Sequence, residues 1–249
     1  MAHLSRIRLN PRRNQARRFF RDPHALHAAV LAGLVRQPVR ERTLWRLDTD
    51  DPLRPALLVL TESVPSWEHL VEQAGWPSSD DPYDPQVQVR SYEPLLERLD
   101  AGQEYAFRLT ANPVSSTRNP DRLTPSQRKK LSADPRRSRT VAHRTTSHQL
   151  DWLLARQEAL GIEIPAARAS ATMGESVPDV RIIDRARRTF RRNGSKALVT
   201  IQTATYEGRL CVIDPDLLRS ALTEGVGRAK AYGCGLLTLA PCPTAHGAL

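Results

Sequence analysis

The chain has 249 residues, room for two compact domains with a core each, and its 40% hydrophobic content excludes a disordered protein. Lys and Arg number 37 against 27 Asp and Glu, a net charge of +10 that points to a polyanionic partner, because cations beside phosphates release condensed counterions. Cys211, Cys234 and Cys242 form no CxxC pair, which argues against a disulfide framework or a cysteine zinc site, and the longest apolar run, Ala28 to Val35, is far too short to span a bilayer.

The Arg-rich start, Met1 to Arg21, lacks acids and so mimics a transit peptide. His3 to Leu9 nonetheless alternates like a first strand, so the segment reads as mature protein in a reducing cytoplasm. A helix is expected from Pro23 to about Val35, with Asp22 as N-cap and Pro23 at the first helical position. Thr43 to Leu47 and Ala56 to Thr61 read as strands around an Asp/Pro turn. Ser66 can cap a helix over Trp67 to Gly75, and Gln86 to Tyr92 alternates again. The pattern then recurs. Glu104 to Ala111 is strand-like, Gln149 to Leu160 is an amphipathic helix stopped by Gly161, and Ile182–Ile183, Leu198 to Ile201 and Leu210 to Ile213 are β-rich. Asp214 leads a helix over Pro215 to Thr223, and Leu236 to Leu239 is a last short strand. Two successive βαββαβ units imply an α+β protein of two tandem ferredoxin-like domains, 1–98 and 99–249.

Two basic segments interrupt the second unit. Ser115 to Arg144 carries Arg118, Arg122, Arg128, Lys129, Lys130, Arg136, Arg137, Arg139 and Arg144; Arg181 to Lys196 carries six arginines and Lys196. Such runs are solvated loops, or arms that lie along RNA phosphates. A guanidinium forks onto phosphate and stacks on exposed bases, which suits RNA, although high-GC coding also favours Arg.

The sharpest local feature is Gly225-Val-Gly-Arg-Ala-Lys-Ala-Tyr-Gly-Cys-Gly235, followed by Leu-Leu-Thr-Leu-Ala-Pro. Gly225, Gly227, Gly233 and Gly235 allow close approach of backbone to a phosphate, and Arg228 and Lys230 add charge. A dinucleotide fingerprint needs Gly where Lys230 stands, and a triphosphate loop needs Gly-Lys-Ser/Thr; both are absent. A plain helix-to-strand turn remains the rival reading.

The whole string resembles the C-terminal glycine-rich loop of CRISPR repeat endoribonucleases, in particular the CasE family, the repeat-processing subunit of type I-E Cascade. "HLSRIRLN" and "DPHALHAAV" resemble that family's first strand and the helix bearing its active histidine; "YAFRLTANPV" and "TYEGRLCVID" resemble strands of its second domain. The resemblance implies two ferredoxin-like domains and cleavage of a CRISPR repeat transcript at the 3′ foot of a stem-loop. It implies no metal or other cofactor: the upstream 2′-hydroxyl attacks, leaving a 2′,3′-cyclic phosphate and a 5′-hydroxyl. The implied partners are the repeat RNA hairpin, retained as crRNA, and other Cascade subunits, with no membrane.

The resemblance puts His27 at the position of the active histidine. A helix amino end lowers a histidine pKa and attracts phosphate. A neutral imidazole there takes the 2′-hydroxyl proton; a protonated one supplies the leaving 5′-oxygen. His24 stands where many relatives carry tyrosine. It either shares the catalytic face of the helix with His27, one turn away, or only stacks or meets solvent. Zinc at this pair lacks further ligands nearby in sequence. Arg128, Lys129, Lys130, Arg136, Arg137 and Arg139 are expected to reach the RNA stem together with the glycine-rich loop. His143 and His148 read as surface, Trp45, Trp67, Trp76 and Trp152 as core, and the Asp50–Asp51 and Asp80–Asp81 pairs as turns. The competing reading is a hairpin-binding subunit without catalysis.

Overall fold

The computed structural model describes residues 1–77, 85–167, 176–191 and 198–242, without the side chains of Arg122 and Lys130. The Asp80–Asp81 turn, Arg192, Lys196 and the tail from residue 243 lie outside the described residues. The first half runs β1 (His3–Arg8), α1 (Asn14–Arg21), α2 (Pro23–Ala32), β2 (Leu44–Asp48), β3 (Ala56–Thr61), α3 (Glu68–Ala74), β4 (Val87–Ser91) and a short α4 (Glu93–Glu97). Its sheet has the order β2-β3-β1-β4, antiparallel throughout. The alternation read in His3–Leu9 has its physical cause here: Ser5, Ile7 and Leu9 are buried against the helices.

The second half runs β5 (Glu104–Ala111), β6 (Val114–Thr117), α5 (Pro125–Ala133), β7 (Arg139–Ala142), α6 (Thr146–Leu154), α7 (Gln157–Leu160), β8 (Ile162–Glu163), β9 (Val180–Arg191), β10 (Leu198–Val212), α8 (Pro215–Glu224) and β11 (Leu237–Pro241). The sheet order β11-β5-β10-β8, with β9 also on β10, repeats the first sheet's topology: the unit's last strand beside its first, then the third, then the second. Both sheets thus have the ferredoxin-like order. The basic segment after β5 forms its own two-stranded ribbon, β6 with β7, around α5.

Several elements differ from the sequence reading. Residues 14–21, unassigned from the sequence, form a helix, because Ala16 and Phe19 are buried at helical spacing while Arg17, Arg18 and Arg21 stay exposed. The expected helix Gln149–Leu160 begins earlier, at Thr146, where Thr145 accepts from the His148 amide, and it breaks at Ala155–Arg156. Ser66 is no cap: Trp67 holds that place, without a side-chain cap bond. Trp45, Trp67 and Trp152 are buried as expected, whereas Trp76 is half-buried. Leu198–Val212 is one 15-residue strand, not two short ones.

One apolar cluster lies within the first half, around Ile7, Phe19, Leu26, Trp45 and Trp67. The other crosses the halves, joining Leu44, Leu60 and Tyr92 to Phe107, Trp152, Tyr206 and Leu236. The buried Arg46 of β2 rivets the same junction. Its guanidinium grips both Asp48 carboxylate oxygens at 2.7 and 3.0 Å, and donates to the carbonyls of Arg108 (3.0 Å) and Leu236 (3.2 Å) and to Thr238 Oγ1 (2.9 Å). Among the described residues, no helix is long and apolar enough to cross a membrane.

Candidate active site

Helix α2 starts as expected. Asp22 caps it, its carboxylate accepting from the amides of His24 (3.0 Å) and Ala25 (3.2 Å), and Pro23 occupies the first turn. Leu26 and Val30 anchor the helix in the core, which leaves His27 half-buried on the flank. Trp45 of β2 is 2% exposed, and its Nε1–H donates to His27 Nδ1 at 3.3 Å. Burial first, and the charge of His24 second, hold the His27 imidazole below the usual histidine range. His24 lines a groove with Gln15, Arg18, Phe19 and Asp22.

The glycine-rich string folds back onto this corner. A 3-10 turn at Lys230–Tyr232 packs against both α2 and β2. Gly233 follows at φ 79°, and a Cβ there would stand 2.6 Å from the Trp45 ring, so only glycine lets the loop lie on that indole. At Gly227, φ 77°, a Cβ would stand 3.1 Å from the Trp152 ring, a tight but less severe contact. Gly225 closes α8, and Gly235 is buried. The amides of Gly225, Gly233 and Gly235 bond to the carbonyls of Ala221, Lys230 and Thr110. These three therefore serve close packing, and their N–H groups are already engaged within the chain. Lys230 is half-buried; burial first, then Arg42, push its ammonium below the usual lysine range, with Glu224 pulling the other way.

Arg228 ties the loop to the β6–β7 ribbon, donating to Thr140 Oγ1 at 2.8 Å and Ser116 Oγ at 3.4 Å. Tyr232 meets Phe190 of β9 edge to face, ring centroids 4.7 Å apart. Residues Leu198–Thr203 of β10 pair with β9 and lie beyond the stretch that pairs with β5, so the two strands project as an arm that also packs against α2. Arg187 and Arg191 are exposed on its outer face; Arg188, on the inner, lines a cleft with Trp45, Tyr232 and Gly233.

The remaining expected RNA residues sit apart from His27, on the ribbon and α5. Lys129, Arg136 and Arg137 are exposed, Arg139 is half-buried, and Arg128 is tied back to the carbonyls of Pro120 (2.8 Å) and Leu123 (3.2 Å). Sequence reasoning assigned Trp45 to the core alone; the sole signal of a second role is that a buried indole N–H needs an acceptor. Among the described residues no group of three or more His, Cys, Asp or Glu is placed to hold a metal.

The model of a family described as CRISPR associated protein matches residues 2–241. The CRISPR-associated endoribonuclease Cse3 of Thermus thermophilus is 33% identical over 245 residues, covering 96% of this chain and 99% of that protein. The Cascade subunit CasE of Escherichia coli is 33% identical over 144 residues, 58% of this chain and 61% of that one. A solved structure of the Thermus thermophilus Cse3 with an RNA representing a pre-cleavage complex superposes at a TM-score of 0.71, with 29% identity, over 96% of this chain and 99% of that chain. A helix-borne histidine facing a glycine-rich loop, on two ferredoxin-like units matched over nearly their whole length, places this chain in the CasE (Cse3) family of CRISPR-associated proteins.

Proposed function

We infer that this chain is an endoribonuclease that binds the CRISPR repeat stem-loop, cuts the precursor transcript at the 3′ foot of the stem, and stays on the product as a Cascade subunit. The observation that carries the reading is the meeting of His27 and the glycine-rich loop on either side of Trp45, although about 200 residues separate them in the chain. Its relatives support it: Cse3 is named an endoribonuclease, and CasE a Cascade subunit. The division of labour follows the two units, 1–98 with the catalytic histidine and 99–249 with the grip. The loop, the ribbon and the arm offer guanidinium and ammonium groups to the stem's phosphates. The 2′-hydroxyl upstream of the cut attacks phosphorus, the P–O5′ bond breaks, and the 2′-hydroxyl proton ends on the 5′-oxygen; His27 acts at that phosphodiester without a metal. The cytoplasm, where transcripts are made and thiols stay reduced, suits the free cysteines Cys211, Cys234 and Cys242.

A second reading, hairpin binding without catalysis, draws on His24 in the family's tyrosine position. Incubating a cognate hairpin with the protein in EDTA separates the two. The enzyme cuts, His27→Ala binds without cutting, and a substrate with a 2′-deoxy nucleotide before the cut stays intact. Binding by the wild-type protein with no product, with or without metal, favours the second reading.

A further inference from the structure

We propose that Trp45 is a positioning residue that locks the neutral His27 imidazole with its hydrogen on Nε2, so that His27 meets the scissile phosphate as a hydrogen-bond donor. This rests on His27 being the catalytic group. An indole N–H only donates, so the Nδ1 that receives it must carry a lone pair. The hydrogen of the neutral ring is then on Nε2. Taking a proton at Nε2, or giving one up there from the imidazolium, passes through the Nδ1–H form, which sets two N–H groups against each other. Donation from Nε2–H to a non-bridging phosphate oxygen leaves the Trp45 bond intact while charge develops on the phosphorane. Neutral histidines perform this service in other enzymes.

The lock is itself held. Trp45 is fully packed, and the loop at Gly233 lies on its ring, so the indole has no room to turn away. The glycine-rich loop therefore acts on catalysis through an indole, beyond any contact with RNA. The ionisable groups on the elements around α2 are His24 on the helix and Asp22 at its cap, Arg17, Arg18 and Arg21 of α1, Arg46 and Asp48 of β2, Glu68, His69 and Glu72 of α3, Lys230 and Tyr232 of the 3-10 turn, and Asp184 with five arginines of β9. The excess is cationic, which also favours a neutral ring.

Nitrogen NMR of the histidine-labelled wild-type protein reads the lock without any substitution. The expected signature at neutral pH is a pyrrole-like Nε2 and a pyridine-like Nδ1 for His27; the reverse pattern overturns the proposal. In Trp45→Phe, if it folds, loss of a bond that favours the neutral ring should raise the His27 titration midpoint by about half to one pH unit. An unchanged midpoint counts against the lock. The role is read by His27→Gln, whose amide donates but does not shuttle protons at neutral pH. It should cut about 10-fold faster than His27→Ala, since one preorganised donor is worth 10²–10³-fold and an amide recovers part of that. Equal loss in both variants overturns the donor role. Undiminished cleavage by His27→Ala sinks instead the reading of His27 as catalytic, whatever the tautomer.

Discussion

The two halves share one strand order and put it to different uses. In the first sheet the strands are five or six residues long and end where pairing ends. In the second, β9 and β10 run for 12 and 15 residues and outgrow the sheet as an arm, while the connection after β5 grows a ribbon and a helix. The conserved element of geometry is the same in both: a capped helix after an Asp-Pro step, α2 after Asp22–Pro23 and α8 after Asp214–Pro215. The first of these helices displays a histidine; the second ends in the loop that reaches across to it. On the proposed function, one topology carries chemistry in the first unit and grip in the second, through what is appended to it.

If chemistry belongs to the first unit, the largest effect comes from its histidine. His27→Ala should slow cleavage by about 10²–10³-fold in single-turnover assays while RNA affinity stays within about two-fold. A matching loss of affinity would show that the histidine grips rather than reacts, and the contrast between the halves would fail.

Arg46→Ala attacks the joint between them. Removing a 3%-exposed guanidinium strips the Leu236 and Arg108 carbonyls of a donor and leaves Asp48, among the described residues, with the more distant Arg108 cation at 3.6 Å. Breaking such a buried pair costs about 3–5 kcal/mol, and the remaining Arg108 places this case near the lower end. Urea unfolding measures it. A change below about 1 kcal/mol, or two separate transitions in the wild type, would mean the halves are stable independently of the rivet.

Gly233→Ala tests whether the loop governs the histidine corner. An alanine at φ 79° costs about 1–2 kcal/mol from the left-handed backbone alone, and its Cβ also pushes on the Trp45 ring. The expected result is a loss of about 2 kcal/mol in stability, with cleavage slowed more than binding. Unchanged cleavage by a folded variant would uncouple the loop from the site.

How much of this was legible in the sequence depends on range. Strands and caps whose cause is local were readable: Ala56–Thr61 falls where the Asp/Pro turn put it and Glu104–Ala111 where its strand-like pattern put it, and Asp22 and Asp214 cap as the Asp-Pro pairs announce. What failed was set by partners far away. α1 hid behind its arginines, because its burial depends on Ala16 and Phe19 finding the core. The unity of β10 depends on β9, in a segment whose pattern left a solvated loop and an arm equally open. At the site, resemblance proposed His27, while nothing in the sequence set Trp45 apart from the core, since its bond to His27 exists only when β2 lies beside α2. The glycines were read as phosphate cradles; three of their amides face carbonyls of the same chain, a fact of pairing that no spacing encodes.

The smallest expected effect probes the grip. Arg187 and Arg191 alternate on the outer face of the arm, exposed, where their loss removes charge without opening the core. Each phosphate contact contributes about 0.9 to the slope of log affinity against log salt on a duplex. Replacing both by Gln should therefore lower that slope by up to about 1.8 if each holds one phosphate, leaving both unfolding and the single-turnover rate at saturating protein unchanged. An unchanged slope would confine the grip to the loop and the ribbon, and β9 would then serve α2 and Tyr232 alone. A fall in the saturated rate instead would draw the arm into the chemistry and blur the division between the halves, since charge on the outer face touches neither His27 nor Trp45.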